Sequence, residues 1–369
     1  MLTCLGSGKR TFQAVLDGRC GAGPLRHARA GALNVTAGYH IGKDDPERLF
    51  RARTWLVRCV AAALRQAWID PRRQRVAAVV GTGLRELASV EAWALDPGAG
   101  RQPFPVDRLD FGAAVPGVAD VVTLSNACSA GGHALAVAQD LIELDVADAV
   151  VAAGVDAMSR SMLAMIGRVA PAPTEQVRPF DADRTGVLLG EGAAAAVVVP
   201  EDSTQAARPT LGRLLATGLS CDAQHQTAPD VDGIRRAMSD AFSRVGRAPG
   251  EVGAVVAHGT GTALNDPAEC AALKAEVLAA GADPLITGVK GAVGHTSGAA
   301  ALVNLDIALR ILSTGRVPPV VGLRRPLPEG EGMRFVVGEQ ARFEPRRRIV
   351  QTNAFGFGGV NAVTLVEAA

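Results

Sequence analysis

Five short apolar runs constrain this chain more than anything else in it. "QRVAAVVG" (74–81), "ADVVTLS" (119–125), "ADAVVAAG" (147–154), "GAVVAHG" (253–259) and "PLITGVK" (284–290) lack the every-second-residue alternation of a half-wet strand. A strand that is apolar on both sides needs cover on both sides, as in a sheet sandwiched between helices. Helix-like segments separate the runs. Leu135, Ala138, Leu141 and Ile142 recur at helical spacing between the second and third, and the segment 267–280, with Pro267 at its first position, lies between the fourth and fifth. Both read as βαβ units of an α/β protein.

The polar, proline-containing stretch "PEDSTQAARPT" (200–210) reads as a linker between an N-terminal half, 1–200, and a C-terminal half, 206–369. The halves echo each other, since a glycine turn leads into an apolar strand in "GEGAAAAVVV" (190–199) and again in "GFGGVNAVTLVE" (356–367). Two similar layered units packed together account for both features. At 369 residues and 48% hydrophobic, the chain can bury such a core. Its 38 basic against 37 acidic residues leave a charge of +1, so no global field draws nucleic acid or an anionic membrane. The longest apolar stretches fall short of the ~18 residues that span a bilayer, and "MLTCLGSGKRTF" lacks an apolar signal core. Six scattered cysteines without a C-x-x-C pair fit a reducing compartment, so the expectation is a soluble, cytoplasmic protein.

Two glycine motifs carry little. In "GSGKRT" (6–11) the first glycine of a phosphate loop would fall on Thr3, Arg10 follows the lysine, and no strand is expected before it. In "GTGLRE" (81–86) Glu86 takes the place of the third glycine of a dinucleotide fingerprint, which leaves a plain strand-to-helix turn. No local pair of zinc-type ligands is present, so no metal is expected.

"TLSNACSAGGHALAVAQDLIEL" (123–144) is different. It sets Cys128 in a small-residue turn between a strand and a helix, beyond the carboxyl end of the strand, where open α/β sheets gather function. The arrangement follows the logic of a nucleophile elbow. A helix starting near Ser129 would aim its free N–H groups and dipole at the sulfur, lowering the thiol pKa and offering an oxyanion site. Cys4, Cys20, Cys59 and Cys270 read as small hydrophobic residues. In the second half, "VVAHGTGTALNDPAE" puts His258 directly after a strand, and "ITGVKGAVGHTSGAAALVNL" puts Lys290 after another, with His295 five positions on. A cysteine, two histidines and a lysine at strand ends and glycine-rich turns favour a catalytic site over structural roles.

Together "NACSAGG", "RPFDADRTGVLLGEGA", "SCDAQHQTAPDVDG", "AHGTGTALNDPAE", "VKGAVGHTSGAAA" and "NAFGFGGVNA" resemble the decarboxylating β-ketoacyl-acyl-carrier-protein synthases of the thiolase superfamily, from about Leu5 to the C-terminus. The resemblance implies a five-layered α-β-α-β-α fold made of two similar halves. It implies that Cys128 takes an acyl group from the phosphopantetheine arm of a carrier protein, with the N–H groups of Cys128 and Phe357 as oxyanion hole. Neutral His258 and His295 would stabilise the enolate left when a malonyl-type extender loses CO₂. Lys290 would organise the site and pair with Glu269. Thr260 and Thr262 match the threonines that bind the pantetheine arm, and Phe355, Phe357, Gly358 and Gly359 match the turn whose phenylalanine gates the acyl pocket. Ordinary turn chemistry for the threonines and a core role for Phe355 stay open.

No metal or redox cofactor is implied, and a dimer with itself or a related ketosynthase-like subunit is. Three rivals remain: an acyltransferase without decarboxylation, a non-catalytic partner subunit, and a cysteine hydrolase, which leaves the second histidine without a role. Two departures stand out. The family's initial apolar strand has no counterpart after Met1, so either the start lies upstream or the fold compensates. The stretch between "VVGTGLRE" and "NACSAGG", which in the family helps build the dimer contact and acyl pocket, is short.

Overall fold

The computed structural model describes the chain except for residues 28–32, 44, 45, 47, 96–108, 110, 112, 113, 170–172, 204–209 and 344–348. In the first half, β1 (Leu2–Thr3) and β2 (Gly6–Ser7) lead into α1 (Gly8–Leu16), a small ladder of β3 (Gly23–Pro24) with β4 (Ala37–Gly38), and α2 (Arg51–Ala67). Then follow β5 (Val76–Gly81), α3 (Leu87–Leu95), β6 (Val118–Leu124), α4 (Ala130–Glu143), β7 (Ala149–Asp156), α5 (Arg160–Val169) and β8 (Gly192–Val198). The second half begins with β9 (Arg213–Cys221), α6 (Val231–Val245), β10 (Val252–Val256), α7 (Asn265–Leu273), β11 (Leu285–Thr287), α8 (Lys290–Val293) and α9 (Ala300–Thr314). It closes with β12 (Arg316–Val317), β13 (Arg334–Phe335), β14 (Ala341–Arg342), β15 (Ile349–Gly356) and β16 (Val360–Glu367). Two six-stranded sheets result, ordered β2-β1-β8-β7-β5-β6 and β13-β11-β10-β15-β16-β9.

All five apolar runs form strands. β5 lies parallel to β6 and β7, and β10 parallel to β11 and β15. The absence of alternation has the expected cause. Val76, Ala78 and Val80 of β5 pack on one face with Trp55 and Leu56 of α2, while Ala77 and Val79 face the opposite way, toward Leu135 of α4 and Leu302 of α9. Helices α4 and α9 each touch both sheets and form the middle layer. On the outer faces α2 covers β7 and β8, and α6 covers β9 and β16. The order is therefore α-β-α-β-α, with a shared apolar core between the sheets.

Several details depart from expectation. The "GSGKRT" segment does follow strand structure: β1 and β2 precede α1, and Leu2 pairs with Ala193 of β8. This pairing gives the β8 edge a backbone partner. Helix α7 opens at Asn265, so Pro267 is its third residue instead of its first. Strands β9 and β15 had no apolar run to announce them. Most of the expected linker and much of the short stretch before Cys128 lie outside the described residues. Among the described residues, no helix is long and apolar enough to cross a membrane.

Candidate active site

Two turns meet where the halves join. Ala127 has φ 49° and opens a 3₁₀ turn, Ala127–Ser129, that runs into α4. Ser297 has φ 48° and opens the turn Ser297–Ala299 that runs into α9. Left-handed backbone at a non-glycine residue is strained and persists only where the surroundings enforce it. Each turn's second residue occupies the equivalent place: Cys128 in one half, Gly298 in the other. The "SAGG" stretch lets the turns approach. A Cβ on Gly131 would lie 2.6 Å from Leu302 Cδ2 and 2.7 Å from the Gly298 carbonyl oxygen.

Cys128 is buried, and the backbone N–H groups of Phe357 and of Cys128 itself favour the charged form of its sulfur. The thiol is nevertheless pushed up to about 11, first by burial, with Lys290 opposing and Asp156 adding to the rise. This reverses the expected lowering by the helix terminus. Loss of solvent outweighs two N–H donors and a helix end when the sulfur is sealed from water.

His258 follows β10 and His295 lies beyond α8, both buried, with ring centroids 5.4 Å apart and planes at 88°. Burial, then the positive charge of Lys290, holds both imidazoles well below their ordinary value, so both are neutral. The Phe355 N–H donates to His258 Nδ1 at 3.3 Å. A nitrogen that accepts there carries no proton, which puts the ring hydrogen on Nε2 and leaves an N–H free to donate. His295 Nδ1 is buried without a hydrogen-bond partner.

Lys290 Nζ donates to the His258 carbonyl oxygen and lies 3.2 Å from His258 Nδ1. Burial pushes this ammonium down to about 8, against the raising influence of Glu269, Cys128 and Asp266. The expected direct Lys290–Glu269 pair is not formed, because the lysine reaches His258 instead. Glu269 accepts the N–H groups of His258 at 2.7 Å and Gly259 at 2.8 Å, and the Asn353 amide at 2.8 Å. Lysine and glutamate thus grip the same histidine backbone from two sides.

The Thr260 and Thr262 hydroxyls are 2.8 Å apart in a turn whose Gly261 has φ 71°. Asp266, buried, binds that turn by accepting the N–H groups of Thr260 and Gly261, along with the Phe180 N–H at 2.7 Å. Phe355 is buried with its ring 5.4 Å from that of His258, whereas Phe357 is 43% exposed. Gly358 (φ 86°) and Gly359 (φ 75°) complete the turn between β15 and β16. The sequence reading missed Asp156, Asp266 and Asn353. The available signal was a lone carboxylate closing an apolar run, as Asp156 closes "AVVAAGVD".

One strand end ties these parts together. At the end of β15 the Phe355 N–H bonds His258 Nδ1, and the next residue, Gly356, lies against the nucleophile turn, since a Cβ on it would be 3.2 Å from the Cys128 backbone nitrogen. The thiol and the imidazole, 130 positions apart in sequence, therefore share one site. A thiol set between two stacked, matching α/β halves belongs to the thiolase-fold enzymes that transfer acyl groups.

Comparison with known proteins narrows the class. Residues 37–204 match the family Beta-ketoacyl synthase, N-terminal domain, and residues 211–324 match Beta-ketoacyl synthase, C-terminal domain. The chain belongs to the β-ketoacyl synthase family, and its function is that of a β-ketoacyl synthase in fatty acid or polyketide synthesis. It is 31% identical to "Nodulation protein E" of Rhizobium meliloti (strain 1021), over 94% of this chain and 92% of that one. It is 29% identical to "3-oxoacyl-[acyl-carrier-protein] synthase 2" of Coxiella burnetii, over 96% and 93%. Among solved structures, "The ishigamide ketosynthase/chain length factor" superposes with a TM-score of 0.87 at 26% identity, covering 100% of this chain and 97% of that one. A β-ketoacyl synthase from Burkholderia phymatum shares the fold with a TM-score of 0.86 at 21% identity, covering 100% and 97%.

Proposed function

We propose that Cys128 is the nucleophile of a decarboxylative condensation on carrier-bound substrates. The thiol attacks an acyl thioester, the acyl–sulfur bond to pantetheine breaks, and the departing pantetheine sulfur takes the Cys128 proton. A malonyl-type extender then loses CO₂, and the electron pair of the broken C–C bond becomes an enolate. The enolate carbon attacks the Cys128 thioester, the C–S bond breaks, and the sulfur takes a proton from solvent, leaving a β-ketoacyl carrier. The N–H groups of Cys128 and Phe357 hold the oxyanion of each acyl transfer, a class of donor often worth about 3 kcal/mol. His258 and His295 donate to the extender's thioester oxygen as charge develops there. Two neutral donors suit an enolate, and a hydrolase has no use for the second.

The convergence at the end of β15 is the single observation that carries this reading. Lys290 and Glu269 act as positioning residues on the His258 backbone. Thr260 and Thr262 would receive the pantetheine arm, and the exposed Phe357, with Gly358 and Gly359, would gate the acyl pocket beside buried Phe355. The chemistry requires neither metal nor redox cofactor. An acyl carrier protein is the expected partner, in keeping with the name of the Coxiella relative. A dimer, with itself or a related subunit, is in keeping with the ketosynthase/chain length factor structure. Six free cysteines suit a reducing cytoplasm.

The test is intact-mass analysis after incubation with acyl carriers, followed by labelled malonyl carrier. An acyl adduct that disappears in Cys128→Ala, together with release of labelled CO₂ and a β-ketoacyl product, supports the proposal. An adduct without CO₂ release assigns a simple acyltransferase, and free acid a hydrolase.

A further inference from the structure

Asp156 ends β7 and is 2% exposed. Its Oδ1 accepts the Thr82 hydroxyl at 2.7 Å and the Leu84 N–H at 2.9 Å, and its Oδ2 accepts the N–H groups of Gly83 at 2.8 Å and Gly298 at 2.6 Å. Three of these donors belong to the loop after β5 in the first half. The fourth belongs to the second half, at the position equivalent to Cys128. One carboxylate therefore fastens the two halves at the point where their turns meet. The loop it holds is itself close to the nucleophile turn, since a Cβ on Gly83 would lie 3.7 Å from the Ala127 carbonyl oxygen.

We propose that Asp156 is a positioning residue of the condensing site, clamping the loop beside Cys128 to the opposite turn at Gly298 and setting a carboxylate near the nucleophile turn. This rests on the reading of Cys128 as the nucleophile. The ionisable groups that act on the sulfur come from two elements, Asp156 of β7 and Lys290 of α8, with opposite signs. Burial pushes the Asp156 carboxyl up only to about 6, so it is ionised at neutral pH and above. Burial is the main reason the resting nucleophile is a thiol, and the Asp156 charge adds to it by opposing thiolate formation.

Asp156→Asn removes the charge and sets an amide nitrogen against a donor, whereas Asp156→Glu keeps the charge and changes the reach. Alkylation of Cys128 by iodoacetamide, followed by intact mass across pH, reads the sulfur without any condensation. In Asp156→Asn the alkylation profile moves to lower pH by about half a unit or more. Its acyl-enzyme formation from an acyl phosphopantetheine thioester falls about tenfold in kcat with KM nearly unchanged. Asp156→Glu keeps the wild-type alkylation profile and shows a smaller fall in kcat. If Asp156→Asn does not fold, Asp156→Glu decides alone, with a lowered kcat at unchanged KM in support. An unmoved alkylation profile in folded Asp156→Asn overturns the proposal, as does wild-type kcat in either variant. If wild-type protein forms no acyl adduct while the alkylation shift is present, the fault lies with the nucleophile assignment and not with Asp156.

Discussion

At the scale of single residues, the site works by desolvation. Cys128, His258, His295 and Lys290 are all shifted toward their uncharged forms, chiefly by burial. Alkylation of Cys128 should therefore keep rising with pH well past 8.5, toward about 11, which rate measurements against pH can check. The buried histidines also make the fold acid-sensitive. Their folded values lie well below 6.5, so the unfolded chain binds protons that the native one does not, and stability falls as pH drops through 6.5. A melting temperature that falls between pH 7 and pH 5, and falls less in His258→Gln, is the expected outcome. A His258→Ala variant should still form the acyl adduct, while CO₂ release drops about 10²–10³-fold, the usual cost of one lost oxyanion donor. Cys128, His258 and Lys290 were legible in sequence because a reactive side chain follows each apolar run, and His295 because it stands five positions on from Lys290 in a glycine-rich turn. Asp156 and Asp266 were not, because a carboxylate's work there depends on N–H groups contributed by loops remote in the chain.

Among the elements, the glycines of α4 govern how closely the two turns approach. Gly131→Ala should cost about 1–3 kcal/mol, because the new methyl meets the Gly298 carbonyl, which is backbone and cannot swing away. Gly23→Ala, whose Cβ would meet nothing within 4 Å, is the control and should stay within about 0.5 kcal/mol. Urea titration of the two variants tests the contrast, and equal losses would contradict the close-packing account. Strands β5, β7 and β10 were readable because both faces are covered, which removes polar residues from the run. β15 was not, because Gln351, Thr352 and Asn353 are buried in it. Their partners come from elsewhere: Asn353 donates to Glu269, and its carbonyl oxygen accepts the Asn304 amide. A strand whose polar groups are satisfied by distant partners looks like a loop in one dimension.

For the molecule as a whole, the shared middle layer joins two halves that could otherwise be separate domains. Leu135 of α4 and Leu302 of α9 lie in one cluster with Val79 of the first sheet and Val350 of the second. Neither sheet can lose its inner cover without exposing the other. Unfolding should therefore be a single transition. The chain's three tryptophans, Trp55, Trp68 and Trp93, all lie in the first half, so their fluorescence reports that half while far-ultraviolet circular dichroism reports both. The two urea curves should coincide, and Leu302→Ala should move them together by about 2–5 kcal/mol. Curves that separate would show halves folding independently.

The matching turns carry one last consequence. Where the first half has a thiol, the second has Gly298, and a Cβ there would lie 2.4 Å from Thr82 Cα. The backbone of one half fills the room that a side chain of the other would need. The molecule can thus be near-symmetric in architecture and still hold only one reactive centre, because the space for a twin has already been spent on bringing the first within reach of its partners.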